Sequence, residues 1–233
     1  MILIGDVHGK FGSYKNIIKQ YSNTIQVGDM GVGFKRREDI AEAFNLNLYH
    51  PNPPYDIMVN GNHRFIRGNH DNPSVCSRHS QCITDGHIEN DMMFIGGALS
   101  IDRAFRTEGY DWWEDEELSI KELDLLIDKI VDEKPRVMIT HTAPDFLSDE
   151  LAWAANRGYK LDFPSRTQQA FNSMFYHHKP EIHIFGHWHV DFDYFHEDTR
   201  FICLNELSTF ELDMDNLMGN EIISYEKFLA NKS

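Results

Sequence analysis

The sequence predicts an α/β fold built on a parallel sheet, and two observations predict it. Short apolar runs alternate with segments of helical periodicity, and the apolar runs end on polar, glycine-containing turns. The opening shows both. Ile2, Leu3 and Ile4 form a strand that runs into Gly5-Asp6-Val7-His8-Gly9. Ser13 to Tyr21 then sets Tyr14, Ile17, Ile18 and Tyr21 on one helical face, with Ser13 as the N-cap. Thr24 to Val27 is a second strand, and it ends in Gly28-Asp29-Met30-Gly31-Val32-Gly33. A strand-helix-strand unit of this kind makes a parallel pair whose polar residues gather at the carboxyl edge of the sheet.

The remaining elements follow in order. Glu38 to Leu48 has a helical pattern, and His50-Pro51-Asn52-Pro53-Pro54 must be a loop. His63 to Arg67 is a third strand delivering Gly68-Asn69-His70-Asp71, with Asn72-Pro73 starting a helix after it. Residues 86–101 read as a hairpin turning at Asn90-Asp91. Leu118 to Ile130 is a helix, and Arg136 to Thr140 a strand ending on His141. Helices over Ser148 to Asn156 and Ser165 to His178 precede a strand, Glu181 to Phe185, that ends on Gly186-His187-Trp188-His189. Phe192 to His196 and Arg200 to Leu204 form an antiparallel pair. With no internal repeat and no linker-like tract, residues 1–233 are expected to form one domain.

Composition removes several classes. The 233 residues suffice for a core without staples, and the three cysteines, Cys76, Cys82 and Cys203, have no Cys-x-x-Cys spacing for disulfide or thiolate-zinc chemistry. No apolar run reaches the ~20 residues of a membrane span, and the first residues lack the pattern of a signal peptide, so a cytoplasmic location is expected. Lys and Arg total 22 against 37 Asp and Glu, a net charge of −15 that argues against long duplex nucleic acid as a partner. Histidine is abundant, at thirteen residues.

The histidines gain meaning from their position. Asp6, His8, Asp29, Asn69, His70, His141, His187 and His189 each follow a predicted strand, and in a parallel sheet such positions converge. Leaving His70 aside, three Asp or Asn oxygens and four His nitrogens suit two divalent first-row cations, with an Asp between them as a bridge. Two such cations clamp a phosphoryl group and acidify a water to hydroxide near neutrality. Hydrolysis of phosphate esters is the chemistry this equipment serves.

Gly5-Asp6-Val7-His8-Gly9, Gly28-Asp29, Gly68-Asn69-His70-Asp71, Thr140-His141 and Gly186-His187-Trp188-His189 resemble, in order, the signature blocks of the calcineurin-like metallophosphoesterases. The resemblance spans about residues 1–190 and implies a four-layer α/β/β/α sandwich. It implies that Asp6, His8, Asp29 and His189 hold one metal, and that Asn69, His141 and His187 hold the other together with a bridging Asp29. His70 would assist the leaving group while a bridging hydroxide attacks phosphorus. The cofactors implied are two divalent ions among manganese, iron and zinc, with manganese favoured. The alternatives are a phosphodiesterase acting on cyclic nucleotides or short nucleic acid, and a non-catalytic scaffold of the same fold. The pattern departs from the protein Ser/Thr phosphatases of this superfamily, since Met30, Gly31, Val32 and Gly33 replace their Asp and Arg after the second block.

Arg67 is similar to the Arg that precedes Gly-Asn-His in those phosphatases, and by that resemblance it is the expected phosphate contact. Arg103 and Arg106, on a loop, are further substrate-binding candidates. Trp112 and Trp113 are expected to pin that loop to the core. Glu114 to Glu117 reads as helix capping and solubility, and His63 and His177-His178 as structural.

Overall fold

A computed structural model of the chain describes residues 1–34, 53–156 and 165–230. In chain order the elements are β1 (Ile2–Ile4), α1 (Phe11–Ile18), β2 (Thr24–Gln26), α2 (Tyr55–Asn60), β3 (His63–Phe65), α3 (Pro73–Cys76), β4 (His87–Glu89) and β5 (Met92–Ile95). There follow α4 (Ile120–Glu133), β6 (Val137–Thr140), α5 (Ser148–Ala154), α6 (Arg166–His177), β7 (Ile182–Phe185), β8 (Phe192–His196), β9 (Thr199–Cys203), β10 (Thr209–Glu211), β11 (Ile222–Ile223) and α7 (Tyr225–Ala230).

The strands form two sheets. One has the order β11-β10-β1-β2-β3, with β1, β2 and β3 parallel and β10 antiparallel to β1. The other has the order β4-β5-β6-β7-β9-β8, parallel from β5 through β9 and edged by antiparallel β4 and β8. Alternation along each strand decides what lies between the sheets and what lies outside. Met92 and Phe94 of β5 join Leu3, Ile25, Ile139, Ile184 and Ile202 in a core made by both sheets. Met93 and Ile95 face the other way, onto Leu126 and Ile130 of α4 and Phe171 and Met174 of α6. On the far side, Ile4 and Phe65 pack against Tyr14, Ile17 and Ile18 of α1 and Phe228 of α7. Helices, sheet, sheet and helices thus make the expected four layers.

Local signals explain where several elements begin and end. Asn72 caps α3, its side chain accepting from the Ser74 and Val75 amides, with Pro73 in the first turn. Ser119 and Glu122 form a capping box at α4. The hairpin turns at Asn90 and Asp91, both at positive φ, as a two-residue turn between twisted strands requires. One boundary is corrected: α1 begins at Phe11 after the Val7–Lys10 turn, so Ser13 lies inside the helix and not at its cap. The helix expected over Glu38 to Leu48 lies outside the described residues. No expectation covered α2, β10, β11 or α7.

Candidate metal centre

The carboxyl ends of the parallel strands bring the predicted residues together from both sheets. Asp6 follows β1 and Asp29 follows β2; Asn69 and His70 follow β3, His141 follows β6, and His187 and His189 follow β7. Donor atoms of Asp6, His8, Asp29 and His189 lie within 4.8 Å of one another, and so do those of Asp29, His141 and His187. Asp29 belongs to both groups. His189 Nε2 is 3.2 Å from Asp6 Oδ2 and 2.9 Å from His8 Nε2. On the other side His141 Nε2 lies 3.2 Å from Asp29 Oδ1 and 3.0 Å from Asn69 Oδ1.

The backbone holds these side chains in conformations that ordinary residues avoid. His8, Asp29, His187 and His189 all have positive φ, between 47° and 67°. Glycines make room beside them. A Cβ on Gly28, itself at φ 104°, would stand 2.2 Å from His141 Nδ1, and one on Gly68 would stand 2.1 Å from Asp29 Oδ1. The Asp71 carboxylate fastens the second and third loops together by accepting from the amides of Gly68, Met30, Gly31 and Val32. His187 N–H donates to Asp6, and His70 N–H donates to Asp29 Oδ1 at 2.7 Å.

The donor set fits cations. A backbone carbonyl only accepts, so Val27 O, 3.0 Å from His141 Nδ1, fixes the proton there and aims Nε2 at Asp29 and Asn69. Burial raises the pKa of Asp29, yet His141, His70 and His8 draw it well below the carboxylate range. Burial lowers that of His141, yet Asp29 and Asp6 raise it to about 9. With acceptors crowded to about 3 Å, a positive charge is required among them. A proton on His141 meets that need by itself, and a divalent cation would meet it better, with Asp6, His8, Asp29 and His189 on one side and Asn69, His141, His187 and Asp29 on the other.

A cavity of about 320 Å³ opens onto this cluster. Asp29, Asn69, His70, His187 and His189 form its floor, and Leu99, Ile101, Arg106, Ala152, Gln168 and Trp188 its walls. His70 stacks on Phe34 at 4.6 Å, and its Nε2 lies 2.7 Å from Arg106 Nη2. A guanidinium only donates, so this nitrogen accepts and the imidazole is neutral there. Burial, with His8 and Arg106 adding to it against the pull of Asp29, lowers the His70 pKa to about 4. Arg106 is held in turn by Asp102, at 2.7 Å, and by the Asp111 carbonyl.

The arginines divide. Arg106 lines the cavity, whereas Arg103 is exposed on a short 3-10 turn, Arg103–Phe105, and does not line it. The structure also corrects Arg67 as the phosphate contact. Its Nε donates to Asp85 at 2.9 Å and its Nη1 to the carbonyls of Glu116 and Asp115. It lines a separate cavity of about 1040 Å³ that includes none of the seven ligand candidates. The Asp85 carboxylate and two carbonyls take the guanidinium before a phosphate can.

The acidic run is corrected as well. Glu116 and Glu117 are buried: Glu116 accepts from Ser100, and Glu117 accepts from Ser165 Oγ and the Thr167 amide. The other readings agree with their surroundings. Trp113 is buried 6.1 Å from Phe34, His63 bonds Thr24, and His178 donates to the Pro135 carbonyl. Sequence reasoning gave Phe34, Ser100, Glu116 and Gln168 no part in the site: Phe34, Ser100 and Gln168 are not metal-ligand types, and Glu116 stands in an acidic run.

Two sheets between helices, with Asp and His donors gathered at their strand ends, define the class. The chain belongs to the calcineurin-like phosphoesterase family, whose model matches residues 1–191. Among solved structures it is similar to a putative 5'-nucleotidase from Staphylococcus aureus, with 11% identity and a TM-score of 0.55 over 96% of this chain and 53% of that one. It thus spans about half the length of that protein. The phosphopantetheinyl hydrolase of Mycobacterium tuberculosis is a more distant likeness, at 13% identity and a TM-score of 0.42 over 88% of this chain and 89% of that one. No curated protein sequence matches the chain. Among the described residues, no helix is long and apolar enough to cross a membrane.

Proposed function

We propose that the protein hydrolyses small phosphate esters with two divalent cations, manganese being the favoured pair. The observation that carries this reading is the sharing of Asp29 between two donor groups at the floor of a cavity of about 320 Å³. When bound, the cations supply Lewis acidity toward the phosphoryl oxygens and a water acidic enough to attack phosphorus near neutral pH. The chain's own residues do the rest. Asp29 holds both halves in register and accepts from the His70 amide, so the imidazole would stand beside an ester bound at the centre. Arg106 is a permanent positive charge next to His70, so the guanidinium and the remaining ring N–H of the neutral imidazole would donate hydrogen bonds to a phosphoryl or departing oxygen. Leu99, Ile101 and Trp188 give the rest of the ester an apolar wall that excludes water from the reacting centre.

A focused cationic site reconciles an anionic substrate with a chain of net charge −15, provided the substrate is small. Three free cysteines suit a reducing compartment. The test is turnover of an aryl phosphate monoester beside its bis-aryl diester after reconstitution with Mn²⁺, comparing wild type with His70→Asn. The reading expects metal-dependent hydrolysis by the wild type, and retained metal with lost turnover in the variant. Strong preference for the diester would move the assignment to a phosphodiesterase. Two bound Mn²⁺ with no turnover of any ester would make the chain a scaffold.

A further inference from the structure

We infer that Ser100 and Glu116 are positioning residues that set the polarity of the Asn69 amide, and through it the affinity of the buried half of the metal centre. The inference rests on the metal-dependent reading above. Glu116 is 2% exposed; its Oε1 accepts the Ser100 amide at 2.9 Å and its Oε2 lies 2.5 Å from Ser100 Oγ. A carboxylate has no proton to give, so the single hydroxyl proton of Ser100 goes to Glu116. The same Oγ stands 3.0 Å from Asn69 Nδ2, where it is left only to accept.

An Asn side chain has nearly the same shape either way round, but one end donates and the other accepts. With the NH₂ end claimed by Ser100, Oδ1 is turned toward His141 Nε2, 3.0 Å away, and so toward the cation position that His141 and Asp29 share. The opposite orientation would aim two N–H groups at a cation. Glu116 is itself held from behind, since Arg67 Nη1 donates to its carbonyl at 2.8 Å. This gives the buried Arg67 a purpose that a phosphate contact does not explain.

A carboxylate is the one side chain that satisfies both Ser100 groups. In Glu116→Gln, an amide oxygen on the Ser100 N–H leaves an NH₂ facing Ser100 Oγ. The hydroxyl proton then has no acceptor except Asn69, and the Asn69 amide must turn over. The reverse placement sets two N–H groups against each other. Either outcome spoils the site without changing its volume.

The experiment titrates the metal-free full chain with Mn²⁺ by calorimetry, with no substrate present, and records paramagnetic resonance for coupling between the ions. Wild type is expected to bind two Mn²⁺ with a coupled signal. Glu116→Gln and Ser100→Ala should weaken one site about ten- to a hundredfold, leave the other unchanged, and lose the coupled signal. Asn69→Asp places an acceptor against an acceptor at Ser100. Combined with Glu116→Gln it receives the freed hydroxyl proton, so the double variant should bind the second Mn²⁺ more tightly than either single variant. A merely structural role for Glu116 predicts no such rescue. Equal loss at both sites, an unchanged second site in Glu116→Gln, or no rescue in the double variant would overturn the inference alone. A wild type that binds no Mn²⁺ would overturn the metal-dependent reading itself.

Discussion

The two halves of the metal centre share Asp29 and otherwise differ in nearly every physical respect. The half made by Asp6, His8 and His189 opens to solvent, with the His189 side chain 39% exposed. In the half made by Asn69, His141 and His187, His141 is fully buried, the Val27 carbonyl fixes its tautomer and Ser100 holds Asn69, while His187 is half-buried on the cavity floor. The open half is built for exchange with water and substrate. The deeper half depends on neighbours that orient its buried donors, Asn69 and His141, because water cannot reorient a side chain packed on every side. Chelation should therefore remove one cation well before the other.

The comparison can be broken most severely at the shared residue. Asp29→Asn takes a ligand charge from both halves, and kcat/KM for an aryl phosphate should fall by on the order of a thousandfold, about 4 kcal/mol. A loss confined to one site in a metal titration would mean that the halves are independent.

The next effect separates the halves in the metal-free protein. His141→Ala leaves the buried Asp29 carboxylate without its main counter-charge, which should cost roughly 3 kcal/mol in urea unfolding. His189→Ala, at a more exposed position, should cost under about 1 kcal/mol. Equal losses would contradict the difference in burial.

A pH effect sharpens the picture beneath the buried half. His183 on β7 is in the core, its Nε2 2.8 Å from Thr140 Oγ1, whose own proton goes to the Thr142 carbonyl. Burial lowers the His183 pKa to about 3 from an ordinary 6.5. The unfolded chain therefore binds a proton that the folded one refuses. The stabilisation is fully present above about pH 6.5 and is lost as pH falls toward the folded value. Between pH 7 and pH 5 this residue should remove about 2 kcal/mol from unfolding free energy. His183→Gln should lack that part of the slope, as urea titrations at the two pH values will show.

The smallest expected effect concerns the loop over the open cavity. Arg106→Ala should lower kcat/KM about tenfold, or about 1.4 kcal/mol, whereas Arg103→Ala should leave it unchanged. Equal effects would mean that the loop acts through charge alone and that the bond from Arg106 to His70 has no special part.

Legibility in the sequence followed the range of each interaction. The seven ligand candidates could be read because every one sits beside a strand end, and a parallel sheet gathers strand ends whatever their separation along the chain. The helix start at Asn72-Pro73 was equally plain, being settled within a few residues. By contrast β10 pairs with β1 across some two hundred positions, and at three residues it is too short to carry a period. Arg67 was expected to meet phosphate only through its likeness to the Arg before Gly-Asn-His in relatives, and only the fold supplied Asp85 and the carbonyls that take its donors. Glu116 looked like one charge in a solvated run, and only the fold buried it against Ser100.

By itself, then, the sequence determined the chemistry: which side chains can hold cations, that they lie at strand ends, and that His70 stands next to one of them. The tertiary structure alone decided which arginine reaches the cavity, which half of the centre is open, and which way round Asn69 presents its oxygen. The physical reason is the same in each case. Donor type is a property of a residue, whereas burial, hydrogen-bond polarity and the competition for a charge belong to whatever the fold places within 3 Å of it.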